Sequence, residues 1–159
     1  MASTGSVGKP FTDCEFEIDP IVFDLTGSIR STVYEEGGVA PTGIINTGQN
    51  WYVLVEWSLI GSFIHHLCGK FCVCLYIECI GGGFDKLLGC VNIDFDPCGD
   101  GHYSVKIEVP AGTVPVVECG RVCCLAVTLG STDSCVPPHP GHINAFCSGP
   151  CISFTPVPV

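Results

Sequence analysis

Three segments of the chain alternate between apolar and more polar side chains with a period of two residues, at positions 51–59, 71–79 and 103–109. The apolar face of the first segment consists of Trp51, Val53, Val55, Trp57 and Leu59. Successive side chains of a β-strand point to opposite faces of the sheet, so this alternation is typical of strands with one buried face. Because β-branched and aromatic residues dominate these faces, the pattern predicts three half-buried strands.

Further strand candidates and turn signals extend this pattern over most of the chain. Residues 119–129 form another apolar candidate, and weaker candidates lie at 15–25, 28–34, 91–95, 143–146 and 151–154. Turns rich in glycine and proline separate them, and no 3.6-residue helical period persists for three turns. The sequence therefore predicts an all-β fold, a single antiparallel β-sandwich of jelly-roll or immunoglobulin-like type over residues 14–153.

The two ends of the chain differ from this predicted domain. Residues 1–13 are mostly small and polar, which predicts a flexible N-terminal arm. Residues 154–159 carry prolines at alternate positions, which predicts an extended Pro-rich C-terminal tail. Two interpretations stay open: simple disordered termini, or extended arms that lie on a neighbouring subunit.

The composition is apolar and poor in charge. Hydrophobic residues make up 47% of the chain, charged residues 14%, and the mean hydropathy is +0.46. An average globular protein contains about 25% charged residues. No uncharged apolar run approaches the roughly 18 residues of a membrane helix, so we expect no transmembrane segment. A large protein–protein interface is the favoured explanation of the hydrophobicity.

The net charge of −10 includes only six Lys and Arg residues. A phosphate backbone would meet repulsion almost everywhere on such a protein, without a basic stripe to offset it. We therefore expect no nucleic-acid partner. Anionic membrane surfaces are disfavoured for the same reason.

The chain contains 13 cysteines, an odd number, and none of them forms a Cys-x-x-Cys motif. Redox catalysis and haem attachment therefore lack their usual signature. The cysteine content approaches that of disulfide-rich secreted domains, although residues 1–9 lack the apolar stretch of a secretory signal. We predict structural disulfides, with one cysteine left over to reach another chain.

Eight cysteines are predicted to form disulfides: Cys68, Cys79, Cys90, Cys98, Cys119, Cys135, Cys147 and Cys151. Their connectivity stays open, and the pairs considered are Cys68 with Cys79 or Cys90, Cys119 with Cys135, and Cys147 with Cys151. Cys14 follows directly after the mobile arm and is the candidate for an intermolecular disulfide.

Zinc binding is the alternative for one cysteine-rich stretch. The densest group of possible ligands is His65, His66, Cys68, Cys72, Cys74 and Cys79, and the first four of these are the candidate zinc ligands. Structural zinc sites usually take their ligands from tight turns, whereas Cys72 falls within a predicted strand. Disulfides are therefore favoured over zinc, and we expect no cofactor. Cys72 and Cys74 share the face opposite the predicted core, so these thiols are expected at an exposed face or an interface.

The sequence offers no nucleophile–base arrangement and no Gly-x-Ser-x-Gly turn, so we do not expect an enzyme. Low charge, abundant cysteine and extended ends favour a structural subunit that self-assembles with its own copies into a disulfide-stabilised filament, appendage or coat. The alternative is a cysteine-stapled binding module for a carbohydrate or protein ligand. Its binding loops would lie around residues 35–50, 81–87 and 131–142.

The arm that leads to Cys14 and the β-rich body after it resemble, in organisation only, the endospore-appendage subunits of Bacillus. Those subunits are jelly rolls without a secretory signal, linked through paired cysteines on an N-terminal arm, and they share no sequence motif with this chain. The resemblance implies that Cys14 links subunits and that edge strands add to neighbouring sheets. An extracellular location or a cell or spore surface follows, because disulfides persist in oxidising surroundings.

Overall fold

The computed structural model describes residues 8–20, 22, 24–115, 117–132 and 140–157. Over these residues the chain forms ten β-strands and a short 3₁₀ helix, Ser62–His66. The strands are β1 (Lys9–Pro10), β2 (Asp13–Ile18), β3 (Thr26–Glu35), β4 (Ile44–Asn46), β5 (Trp51–Ile60), β6 (Lys70–Cys79), β7 (Asp85–Asp94), β8 (His102–Val109), β9 (Arg121–Thr132) and β10 (Pro140–Thr155).

The strands form two sheets that pack against each other, which confirms the predicted all-β sandwich. One sheet has the order β1-β3-β5-β8, and the other has the order β2-β10-β9-β6-β7 with β4 beside the C-terminal part of β10. All pairings are antiparallel except the one between β4 and β10. In the described part of the chain, no helix is long and apolar enough to cross a membrane.

The core lies between the sheets and is built from alternate residues of the central strands. Every second residue of β5 from Trp51 to Leu59 is at most 3% exposed. In β6 the odd-numbered residues from Phe71 to Ile77 are similarly buried. Trp57 and Phe71 meet across the two sheets, with their ring centroids 5.2 Å apart. Burying each large apolar side chain contributes about 1.5–3 kcal/mol, so the alternation in the sequence is what holds the sheets together.

The sandwich extends beyond its predicted bounds at both ends. Residues 1–7 of the predicted arm lie outside the described residues, but Lys9–Pro10 pairs with β3 and Phe11 is buried. At the other end, Phe154 belongs to β10 and is 2% exposed. The first residue of the predicted tail is therefore part of the core.

The 3₁₀ helix that carries His65 and His66 is held at its start by Asp24. The Asp24 carboxylate accepts a hydrogen bond from the hydroxyl of Ser62 and another, of 3.0 Å, from the backbone N–H of Ser62. Both bonds favour the charged form of the carboxyl group. The hydroxyl bond first, and then the N–H bond, lowers the pKa of Asp24 below its ordinary value.

Acid is expected to release this contact. Because the folded-state pKa of Asp24 lies below the ordinary 3.8, its stabilising effect is fully present above that value and is lost as the pH falls through the folded-state pKa. The amide chemical shift of Ser62, measured by NMR, should therefore titrate with a midpoint below pH 3.8. The step should be missing in Asp24→Asn, and a shift that titrates equally in that variant would contradict the assignment.

Candidate functional site: a disulfide-linked sheet and its free thiols

Four disulfides connect strands of the six-stranded sheet: Cys14–Cys147, Cys74–Cys90, Cys79–Cys123 and Cys124–Cys151. Each joins two residues that are directly opposite each other in the strand register. Their Cα atoms lie 3.8–4.1 Å apart. This spacing is nearest to the roughly 4.5 Å of the closer, non-hydrogen-bonded type of antiparallel pair, whose side chains approach each other most nearly. The register therefore explains the connectivity.

Together the four bonds cross the whole run of strands β2-β10-β9-β6-β7, with one bond at each junction between neighbours. A covalent path thus leads from Cys14 in β2 to Cys90 in β7 by way of strand segments and disulfides. The strands of the other sheet, β1, β3, β5 and β8, contain no cysteine. One layer of the sandwich is therefore covalently linked across its strands, and the other is held by hydrogen bonds and packing.

The disulfides lie on both faces of their sheet. Cys79, Cys123 and Cys147 are at most 3% exposed and belong to the core. In contrast, Cys90 and Cys151 are exposed, which places their bonds on the outer face. The sheet is thus linked on its buried side at two junctions and on its outer side at the other two.

Two cysteines of β9 that are not among the eight predicted disulfide candidates complete the covalent path across the sheet. Cys123 and Cys124 are adjacent in β9, so their side chains point to opposite faces. Cys123 reaches β6 through the core, and Cys124 reaches β10 on the outer face. A pair of adjacent cysteines inside an apolar strand is the signal that could have identified β9 as linked to both neighbours.

The structure places Cys14 differently from its predicted role as the intermolecular link. The pairing of β2 with β10 sets Cys14 directly opposite Cys147, and the two form a disulfide within the chain. Cys14 is therefore not available to a second chain in this structure, because its sulfur is already bonded.

The predicted disulfide candidates divide into three groups. Four of them are in disulfides, although with partners other than those considered: Cys79, Cys90, Cys147 and Cys151. Cys68, Cys98 and Cys119 are exposed free thiols, because they lie in connecting segments and not opposite a cysteine of a neighbouring strand. Cys135 lies outside the described residues.

Cys72 and Cys74 lie on the outer face of β6, as predicted, but only Cys72 is a free thiol. Cys74 is 9% exposed and bonded to Cys90, so it is not the accessible thiol that the sequence suggested. The Cys72 sulfur lies 3.8 Å from the Cys74 sulfur. The sulfurs of Cys72, Cys74 and Cys90 all lie within 4.8 Å of one another. The sequence pattern does not predict this cluster of a thiol and a disulfide.

The predicted zinc ligands are not brought together. His65 and His66 lie on the 3₁₀ helix, where the Nδ1 atom of His65 is 2.8 Å from the carbonyl oxygen of Pro97. Across the described ranges, Cys72, Cys74 and Cys90 are the only cluster of three or more possible ligands. Cys72 therefore faces sulfur atoms of β6 and β7, and not the His65, His66 and Cys68 group. Two of these three sulfurs are already bonded to each other.

The outer faces of the two sheets differ in charge. On the four-stranded sheet, Arg30 pairs with Glu56, and Lys106 lies 3.5 Å from Glu108 and above the ring of Tyr52. On the six-stranded sheet, the outward residues of β9 from Val122 to Gly130 carry no charge. The outward residues of β10 from Asn144 to Cys151 are also uncharged: Asn144, Phe146, Ser148 and Cys151. The disulfide-linked sheet thus has an uncharged centre along β9 and β10, with Phe146 42% exposed. This centre is bordered on β2 by the exposed residues Asp13, Glu15 and Glu17, which lie opposite Ser148, Phe146 and Asn144.

Compared with known proteins, the chain matches no protein-family model, and no curated sequence is significantly similar to it.

Proposed function

We propose that this protein is a structural subunit that self-assembles into a disulfide-stabilised filament, appendage or coat. The observation that carries the proposal is the covalent path across the six-stranded sheet, with one disulfide at every junction of β2-β10-β9-β6-β7. A binding module needs a rigid scaffold for its loops, which one or two such bonds would supply. A disulfide at every junction of this run instead suits a subunit that must resist forces which separate neighbouring strands.

The physical advantage lies in how strands separate. Neighbouring strands are held by hydrogen bonds that each contribute about 0.5–1.5 kcal/mol net, so an edge strand can be peeled away bond by bond. A cross-strand disulfide keeps the two strands together after those hydrogen bonds have opened. In β2 and β7, the outermost strands of the run, Cys14 and Cys90 provide this protection.

Three exposed thiols support cross-linking between subunits. Cys68 follows the 3₁₀ helix, Cys98 lies in the turn between β7 and β8, and Cys119 lies in the turn before β9. Because the disulfides within the chain occupy Cys14, these turn cysteines replace it as the candidates for bonds between copies. Turns are mobile enough to bring two sulfurs into bonding distance without distorting a strand.

Self-association also has a suitable surface. The uncharged centre of the six-stranded sheet includes Ala126, Thr128 and Phe146, which lie beside the exposed Tyr76 and the outer-face disulfides. Glu15 and Glu17 of β2 lie at its border, so a copy that packs on this surface must bring neutral or basic groups, and not its own carboxylates, against that edge. In addition, β7 and β8 pair with only one described neighbour each, so both offer backbone groups to an added strand. An oxidising, extracellular or cell-surface location fits the four disulfides.

Gel electrophoresis with and without reductant, combined with negative-stain electron microscopy, tests the proposal. We expect a ladder of covalent oligomers that collapses on reduction, together with ordered assemblies in the micrographs. The Cys68→Ser/Cys72→Ser/Cys98→Ser/Cys119→Ser/Cys135→Ser variant should lose the ladder, because it keeps only the eight cysteines of the four disulfides. Single bands and isolated particles under all conditions would overturn the proposal and favour the binding module.

A single charge on the uncharged face is expected to weaken assembly. Thr128→Asp places a carboxylate at an exposed position beside Phe146 in the β9–β10 register. Burying that unpaired charge against another acidic subunit costs several kcal/mol, so association should weaken by about tenfold or more. Analytical ultracentrifugation measures the change.

Ser28→Asp provides a matched control, because Ser28 is also exposed in a strand but lies on the charged face near Arg30. Its association should equal that of the unmodified protein. Equal weakening by both variants would show that added negative charge acts through the net charge of the subunit and not through this face.

A further inference from the structure

The free thiol of Cys72 lies against a disulfide whose other end, Cys90, is exposed on the edge strand β7. Cys72 is half-buried, its sulfur is 3.8 Å from that of Cys74, and Cys74 is bonded to Cys90. Cys90 is exposed in β7, which pairs with β6 alone among the described strands. A thiol in van der Waals contact with a disulfide is the starting arrangement for thiol–disulfide exchange.

We propose that Cys72, Cys74 and Cys90 form a thiol–disulfide exchange site that transfers a free thiol from the half-buried Cys72 to the exposed Cys90. The Cys72 thiol first loses its proton to solvent, and its sulfur then attacks the sulfur of Cys74. The Cys72–Cys74 bond forms as the Cys74–Cys90 bond breaks, and the Cys90 thiolate takes a proton from solvent. One thiol and one disulfide are present before and after, so the step needs neither oxidant nor reductant.

Solvation sets the direction of attack. Attack on Cys74 releases Cys90, whose thiolate is exposed to water, whereas attack on Cys90 would release the 9% exposed Cys74. Leaving a charge on the buried sulfur is the costlier outcome, because burial disfavours the charged form. Attack on Cys74 therefore combines a sulfur contact of 3.8 Å with release of the exposed Cys90 thiolate, the better leaving group.

The strand register sets the position of the equilibrium. Cys74 and Cys90 are directly opposite each other in neighbouring strands, and the bond between them is the one present in the structure. Cys72 and Cys74 are alternate residues of one strand, so their Cα atoms are about 6.6 Å apart, near the upper limit for a disulfide. The bond between strands is therefore the resting form, and the Cys90 thiol accumulates only when something captures it. A second copy that carries an exposed disulfide is such a trap, and this last step rests on the proposed assembly.

The exchange is measured in the isolated chain, so it can fail or succeed independently of assembly. A bulky maleimide captures exposed thiols over time in the Cys98→Ser background, which leaves Cys90 as the only cysteine between Lys86 and Lys106. Trypsin digestion under denaturing, non-reducing conditions then separates residues 71–86 from residues 87–106 only where the Cys74–Cys90 bond has opened. We expect labelled Cys90 together with a Cys72–Cys74 bond, at a rate independent of protein concentration.

Adding Cys72→Ser to this background should slow the labelling of Cys90 by about tenfold or more, because a neighbouring thiol has a far higher effective concentration than any in solution. This variant retains all four disulfides, so its fold can be verified by the same peptide map. Cys119→Ser is the matched control and should leave the rate unchanged. Equal rates with and without Cys72, or no labelling of Cys90 in either protein, would each overturn the exchange site.

Discussion

Replacing Cys14 and Cys147 together by alanine is expected to lower the free energy of unfolding by about 4–5 kcal/mol, the largest loss for any of the four disulfides. This bond spans 133 residues, so it closes the longest loop and restricts the unfolded chain the most. The other disulfides shorten the loop that it closes, but its entropic effect grows only with the logarithm of loop length. Urea denaturation without reductant measures the loss.

The Cys74→Ala/Cys90→Ala variant is the comparison, because its bond spans only 16 residues and lies on the outer face. The expected loss there is about 3 kcal/mol. If the two double variants lose the same stability, loop length does not govern the effect, and packing around each bond would have to be measured instead. If the Cys14→Ala/Cys147→Ala variant instead loses covalent oligomers, Cys14 does link chains.

Alternation predicted which residues form strands and which face of each strand is buried, because both are local properties. Every second residue from Trp51 to Leu59 is buried, as the pattern required, and β6 and β8 follow in the same way. Which strands become neighbours is not local. The pairing of Cys14 with Cys147 depends on β2 lying beside β10, and no spacing within either segment contains that information.

The cysteine pairs considered from the sequence were mostly close along the chain, and strand geometry explains why they do not form. Cys147 and Cys151 lie in one strand, where four residues span about 13 Å, far beyond the reach of a disulfide. They also face opposite sides of the sheet, because the register shifts between Ser148 and Cys151. An irregularity of this kind moves every later side chain of the strand to the opposite face. The sequence pattern of β10 does not reveal where such a shift occurs.

The second large effect is expected from the layer that lacks disulfides. Trp57 of β5 is 2% exposed and contacts the rings of Phe71 and Tyr103, at centroid distances of 5.2 and 5.6 Å. Trp57→Ala would leave a large cavity between the sheets, a change that typically costs about 3–5 kcal/mol. However, the buried indole Nε1 of Trp57 has no hydrogen-bond partner among the described residues. Removing that unsatisfied donor recovers part of the loss, so we expect a value near 3 kcal/mol, at the lower end of about 3–5.

Trp57→Phe separates the two contributions, because it keeps an aromatic ring at the contact with Phe71 and removes the unsatisfied N–H. Its loss should be clearly smaller than that of Trp57→Ala, because the cavity that it leaves is smaller. A loss as large as that of Trp57→Ala would mean that the indole N–H is satisfied in solution and contributes to stability.

Hydrogen exchange should show where the Trp57→Ala variant opens. The run β2-β10-β9-β6-β7 of the six-stranded sheet keeps a disulfide at each of its four junctions, so these strands cannot separate far even when the core is weakened. The four-stranded sheet is held to it by packing, chiefly around Trp57, Phe71 and Tyr103. Amides of β3, β5 and β8 should therefore lose more protection than those of β6 and β9, and this difference should shrink once the disulfides are reduced. Equal loss in both sheets under non-reducing conditions would mean that the sandwich opens as one unit and that the disulfides stabilise both layers alike.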